Sequence, residues 1–599
     1  MPSLPASLAA TAVALALAAG NADAQFSNAY VFGDSLSDAG QYGARFTTNP
    51  GLSTPMYVTQ RYGIDVTPSF TGGTDYAQGG ARVSLPSPLI PANVPNLSIT
   101  DQVSQLLAKG PLDGNALYQF WGGSNDILVL AGAAGAGQMT PDQVQAAVVQ
   151  AATDAVAQIA RLQAAGARYL VVYNVPNIGQ TPLAASQNAQ ASFTALSSLF
   201  DTAFNAGIAS VGLQVVQVNT FALLNEVVAN PAAFGLTNVT VPVCTTASAL
   251  ECTPATLRDP NGAATYLFAD DFHPTTATAQ IAAAAAASMI EGPAKIGVLA
   301  EAPLAVEQAT FRAIDGRMIS GVGAPVSRSR FEAWASYDYG QNDFDGRFLS
   351  GNADVNTIAA GGDYKLSDRL LVGAAFSYSE DKGEFGASSG GYKLKETTGN
   401  AYVGYGAGPW YVGATLGAGD LDYSDVHRTF DLGTLSRTES GETRGWHLMS
   451  SVLGGYWFSY QNWMHGPFAR FAYQEIHVKA FSERGSDSTA LSYGEQERKS
   501  FISTLGWQVS GQLGSVRPFA RIAWEFESEN DDRFVSATPV GLDGTYSVPV
   551  IKPDDNYVRY LLGASADFGR VTGYLVGSAT SGRDNGNDYG VTVGVRVPL

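Results

Sequence analysis

The chain has 599 residues, 34 Lys and Arg against 53 Asp and Glu, and a formal net charge of −19. That balance excludes a broad nucleic-acid surface, which needs clustered basic residues, and a hydrophobic content of 45% excludes disorder as the general state. Charged residues are only 15% and glycines number 66, yet no internal apolar run reaches the roughly 18 residues of a helical membrane span.

Residues 8–20 are apolar, and Ala22-Asp23-Ala24 has the small-x-small pattern of an export-signal cleavage site. Residues 1–24 therefore read as a signal peptide and Gln25 as the mature start, although no Lys or Arg precedes Arg45. From 25 to 295 short apolar strands alternate with helical stretches: strands at 29–32, 116–121, 169–174 and 213–219, helices over 141–165, 187–210 and 276–292. Such alternation predicts a parallel sheet covered by helices. Cys244 and Cys252, eight apart, fit a small disulfide loop in an oxidising compartment. No Cys or His spacing suggests a metal site.

Residues 301–319 read as one more helix, with Pro303 near its start, and Gly321-Val322-Gly323 breaks it. The segment 296–326 is expected to be a linker. After residue 330 the hydrophobic period changes from about 3.6 to 2. Leu370, Val372, Ala374, Phe376 and Tyr378 share one face, while Gly373, Ala375 and Ser377 share the other. The chain ends the same way, with Tyr589, Val591, Val593, Val595, Val597 and Leu599 in phase. Seven of eight Trp lie in this half. About twelve such strands are expected, near 330–340, 355–366, 369–380, 393–406, 409–424, 441–459, 464–482, 496–513, 515–528, 556–568, 570–580 and 587–599. Length, aromatic residues near strand ends and an even count predict an antiparallel transmembrane β-barrel over 327–599. Lipid admits only helices and closed barrels, because it leaves no partner for unpaired backbone groups.

The chemistry sits in the first half. The first strand runs into Gly33-Asp34-Ser35-Leu36, at the carboxyl end of a strand where α/β sheets place their sites. Gly79-Gly80, Gly122-Gly123-Ser124-Asn125-Asp126 and Asp270-Asp271-Phe272-His273 follow in order. A serine nucleophile needs a base, the base an orienting acid, and the developing oxyanion donors. His273 is the only histidine before residue 300, and Asp270 lies one turn from it. Asp34 and Asp38 read as turn and cap residues, Asp126 as a support for its loop, and Trp121 as a core aromatic.

These blocks resemble the GDSL (SGNH) hydrolase family over roughly 25–290. The resemblance implies a flavodoxin-like sheet, Ser35 as nucleophile, His273 as base, and Asp270 rather than Asp271 as the orienting acid. It also implies an oxyanion hole made by the N–H groups of Ser35 and Gly79, with Gly80 the rival, and the amide of Asn125. Enzyme, helix and C-terminal strands together resemble a type V autotransporter carrying such an esterase. That layout implies a helix through the barrel lumen and a passenger exposed at the surface of a Gram-negative outer membrane. The implied partners are an ester or lipid substrate, outer-membrane lipid and the β-barrel assembly machinery. No cofactor is implied, and a monomer is expected. Two other readings exist: another acyl specificity (carbohydrate deacetylase, thioesterase or phospholipase), or a non-catalytic adhesin.

Overall fold

The computed structural model describes residues 25–321, 330–485 and 488–599; the expected signal peptide and the end of the expected linker lie outside them. Four short strands, β1 (Ala29–Gly33), β2 (Leu117–Trp121), β3 (Tyr169–Tyr173) and β4 (Val216–Val218), pair in parallel in that order. They are almost wholly buried, as strands covered by helices on both faces must be. Beyond β1 the segment 74–78 runs alongside it. Val31 bridges to Asp75, the Tyr76 N–H donates to the Val31 carbonyl at 2.8 Å, and the Gln78 N–H donates to that of Gly33 at 3.1 Å. With that rudimentary strand included, the order is the 2-1-3-4-5 of flavodoxin-like sheets.

The three helical stretches expected in this half form Pro141–Ala164, Gln190–Val211 and Thr276–Ile296. Thr140 opens the first with a reciprocal cap to Gln143 and a proline at the first helical position. Thr54–Arg61, Ile99–Leu107, Ser124–Gly135 and Thr220–Ala229 are helical too, without having been anticipated. Each is short, and the last two carry too few polar residues to show a helical period.

Twelve long antiparallel strands, from Phe331–Gly346 to Asp588–Pro598, make up the second half. The last pairs with the first, and Leu435–Tyr456 pairs with Trp463–Val478, so the sheet closes into a barrel. Ile358, Phe376, Leu416, Leu505, Ile522 and Leu562 point outward and are exposed. Ser377, Thr398, Glu396 and Glu525 point inward and are buried. Trp410, Trp463 and Phe568 stand beside the short turns at one end, and Trp446, Trp524 and Tyr589 lie about ten residues further along. Two aromatic girdles at that separation fit the roughly 25 Å apolar band of an outer-membrane barrel.

At the other end the strands run past the band. Phe331–Gly346 and Leu349–Lys365 continue to a tight hairpin, as do Trp410–Leu432 and Leu435–Tyr456. The expected strands stop short of these extensions. Above the lipid the outward residues become polar (Asp345, Glu384, Arg444), so the hydrophobic alternation fades while the hydrogen-bond ladder continues. Short segments at 481–482, 491–493, 534–539 and 546–549 form a further four-stranded sheet on this rim.

The helix Ala302–Gly321 occupies the lumen, and its two arginines are paired with the wall. Arg317 holds Asp363 with two hydrogen bonds, 2.5 and 2.8 Å, and reaches Glu332 at 2.6 Å. Arg312 pairs with Asp338 at 2.9 Å. These two cations, which a lipid-facing helix could not carry, are matched here by inward-facing carboxylates.

Candidate active site

Ser35 is the second residue after β1, in a turn closed by Ser37 and Asp38 N–H groups donating to the Asp34 carbonyl. Gly33 makes that turn possible. Its φ is +154°, and a Cβ there would lie 2.2 Å from the Trp121 carbonyl oxygen. The buried Gln102 side chain pins the same residue, accepting from the Gly33 N–H and donating to its carbonyl, both at 2.9 Å. Nothing in the local sequence marks Gln102, because the contact spans 69 positions.

His273 is buried, its ring lying between those of Phe272 (4.1 Å between centroids) and Phe46 (4.8 Å). Its Nδ1 meets both oxygens of Asp270 at 2.8 and 2.9 Å. Asp270 accepts three backbone N–H bonds as well, from His273 (2.8 Å), Phe272 (3.1 Å) and Ala249 (2.7 Å). Burial alone would raise the Asp270 carboxyl, but the His273 imidazole and these donors outweigh it and hold it at about 2. Asp271 is exposed and its carbonyl accepts from Leu183, so of the two acids only Asp270 reaches the imidazole. His273 Nε2 is buried without a hydrogen-bond partner among the described residues.

Ala249 belongs to the loop closed by a disulfide between Cys244 and Cys252, whose Cα atoms are 5.6 Å apart. The clip therefore stands one hydrogen bond from Asp270.

Asn125 sits at the start of the helix that follows β2, and its amide donates to the Ala81 carbonyl at 3.0 Å with one hydrogen left over. Asp126 accepts from Arg82 and from the Val83 N–H, which ties this helix to the chain after the double glycine. The two glycines of that pair differ in what their N–H groups do. The Gly79 N–H donates to the Asp38 carboxylate at 2.8 Å, so its hydrogen is committed. The N–H groups of Ser35 and of Gly80 donate to nothing among the described residues. Asp38 also binds the N–H groups of Gly40 and Gln41, and Asp34 that of Leu36. Both are buried turn residues with no α-helix after them; burial pushes Asp34 up to about 7 and Asp38 up to about 6.

Ser35, Asn125, Trp121, Phe272 and Pro274 border one cavity of about 100 Å³, partly open to solvent. Leu223, Leu224, Val227, Leu267, Phe268 and Ile281 line it as well. Trp121 is thus a wall of the cavity as well as a core aromatic, with its indole N–H on the Asn174 carbonyl at 3.1 Å. The arrangement can present a hydroxyl, a buried imidazole base and an amide donor to a substrate whose apolar part occupies the cavity.

A flavodoxin-like domain of this kind, standing on a closed twelve-stranded barrel with a helix in its lumen, defines an enzyme-type passenger displayed on an autotransporter. Residues 30–286 match the GDSL-like Lipase/Acylhydrolase family, and residues 333–578 match the Autotransporter beta-domain. Esterase EstA of Pseudomonas aeruginosa is 30% identical, over 91% of this chain and 91% of its own length. An uncharacterized Pseudomonas putida protein from the trpE-trpG intergenic region is 31% identical, over 88% of this chain and 93% of its own. Among solved structures, the translocator domain of NalP from Neisseria meningitidis aligns with a TM-score of 0.41 at 16% identity, covering 51% of this chain and 99% of that one. The chain belongs to the GDSL lipase/acylhydrolase family, in the branch carried by an autotransporter β-domain. It lies in the outer membrane with its passenger at the cell surface.

Proposed function

We propose that this protein hydrolyses carboxylic esters at the cell surface through a Ser35–His273–Asp270 triad and an acyl-enzyme. The observation that carries the reading is the state of His273, which lies between Phe272 and Pro274 on the border of the cavity that Ser35 also lines: one ring nitrogen is fixed on Asp270 at 2.8 Å, and the other is buried with no partner among the described residues. The Ser35 hydroxyl oxygen attacks the ester carbonyl carbon while His273 Nε2 takes its proton. The oxyanion is met by the N–H groups of Ser35 and Gly80 and the free amide hydrogen of Asn125. Collapse breaks the C–O bond, and His273 returns the proton to the leaving alcohol. A water, deprotonated by the same nitrogen, then releases the acid and restores Ser35.

The largely apolar cavity favours an acyl chain over a sugar acetyl group, and relatives named Esterase EstA and Lipase 1 support the ester class. The passenger is assigned to residues 25–295, the linker to 296–326 and the barrel to 327–599, working as a monomer inserted by the assembly machinery. Whole cells displaying Ser35→Ala should lose cleavage of p-nitrophenyl butyrate and labelling by a fluorophosphonate, with unchanged barrel levels. Hydrolysis at the parental rate by that variant would overturn the assignment of the nucleophile.

A further inference from the structure

Part of the cavity wall is backed by the membrane domain. Leu223, Val227, Leu267, Phe268 and Ile281 border the cavity and also belong to a hydrophobic cluster completed by Leu432, which is fully buried. Leu432 ends the barrel strand Trp410–Leu432, which at 23 residues projects well beyond the lipid band. The hairpin apex is fitted closely to the passenger. A Cβ on Gly433 would lie 2.5 Å from the Phe234 carbonyl oxygen and 3.3 Å from Ile281 Cγ1. Thr434 donates to the Ala233 carbonyl at 2.9 Å, and Arg437 pairs with Glu226 at 2.7 Å. Glu226 lies on the helix Thr220–Ala229, whose Leu223 and Val227 face the cavity. That helix is therefore held between the substrate cavity and a barrel hairpin.

We infer that Leu432 is a positioning residue for ester specificity: the barrel hairpin fixes the depth of the acyl pocket by backing its Leu223–Val227–Ile281 wall. Interiors are close-packed, so a wall moves when the group behind it changes volume. A smaller residue at 432 lets the wall retreat and deepens the pocket. A larger one drives it inward. One methylene of fit in an apolar pocket is worth roughly tenfold or more in discrimination, so the effect appears as a change in chain-length preference.

The inference rests on the ester-pocket reading above, and Ser35→Ala tests that reading separately on acetate, whatever the length profile does. The experiment uses the full chain in detergent, with active sites counted by fluorophosphonate titration so that only folded molecules enter the rates. Kinetics are measured on p-nitrophenyl acetate, hexanoate and dodecanoate. Leu432→Ala should raise the dodecanoate-to-acetate ratio of kcat/KM by about fivefold or more, through KM. Leu432→Phe should lower it by a similar factor, and Leu432→Met should keep the parental ratio. General loosening of the fold would move both variants the same way. If Leu432→Phe yields no titratable sites, Leu432→Val must fall between parent and Leu432→Ala. Ratios within twofold of the parent in the titratable variants, or shifts of one sign in both Ala and Phe, would overturn the inference.

Discussion

Around Ser35 three carboxylates are buried in one small volume, and their surroundings push them in opposite directions. Asp34, raised to about 7 by burial, and Asp38, raised to about 6, are less willing to ionise in the fold than in the unfolded chain. Their contribution is fully present below about pH 4 and is lost as pH rises towards 7. Asp270, lowered to about 2, contributes stability present above about pH 4 and lost as pH falls through 2. Passenger stability in urea, followed by hydrogen exchange, should therefore peak near pH 4. Asp34→Asn, which cannot ionise, should flatten the limb between pH 4 and 7. An Asp34→Asn profile superimposable on the parent would refute that origin of the limb. Asn125→Ala should lower kcat by about 10²–10³-fold with little change in KM, as the loss of an oxyanion donor does. The residues expected at the site from sequence were those whose chemistry is written in short motifs: Ser35, Asn125, and His273 with Asp270 beside it. Gln102, Phe46 and the Ala249 N–H were not legible, because each reaches the site across more than 20 positions through tertiary contact. The bond from the Gly79 N–H to Asp38 was not legible for the same reason, since it spans 41 positions.

Two elements outside the triad have measurable consequences. The Cys244–Cys252 clip closes the loop whose Ala249 N–H binds Asp270. Cys244→Ser should destabilise the passenger by about 2–3 kcal/mol, the entropy of a loop that short. It should also lower kcat, read on the same ester panel; unchanged kinetics would separate the clip from Asp270. In the lumen, Arg317→Ala leaves the buried Asp363 carboxylate without its main partner, a change that typically costs about 3–5 kcal/mol. The heat-modifiable barrel band should then unfold at a lower temperature in gel-shift assays. The period of 2 located the barrel strands well inside the apolar band, where one side must be hydrophobic. It failed above the band, where strands such as Trp410–Leu432 obey hydrogen bonding alone.

At the scale of the whole molecule the passenger and barrel share a core. Phe26, Val216 and Ile290 of the passenger lie in one buried cluster with Tyr546 and Val548 of the rim sheet. The Tyr546 hydroxyl donates to the Met289 carbonyl at 2.6 Å, and Arg428, paired with Glu483 at 2.6 Å, donates to that of Ser288 at 2.8 Å. Arg347 reaches back to the Gln25 carbonyl and the Tyr169 hydroxyl, its guanidinium over the Phe26 ring. A fragment ending at residue 300 uncovers that cluster. It should melt at least about 5 °C below the passenger transition of the full chain in calorimetry; equal melting temperatures would show the contacts to be energetically idle. None of this docking was legible in the sequence, because each half shows its own periodicity and the shared face belongs to neither.

The join between the two halves is short: one 3-10 turn, Gly297–Ala300, and Glu301 separate the last passenger helix from the lumen helix. Even fully extended, five residues span only about 17 Å. Ser35 is therefore held at a fixed height above the outer leaflet and cannot sweep a volume around its anchor. An ester borne in that leaflet would meet it in two dimensions, paced by lateral diffusion, while a soluble ester would have to come to it.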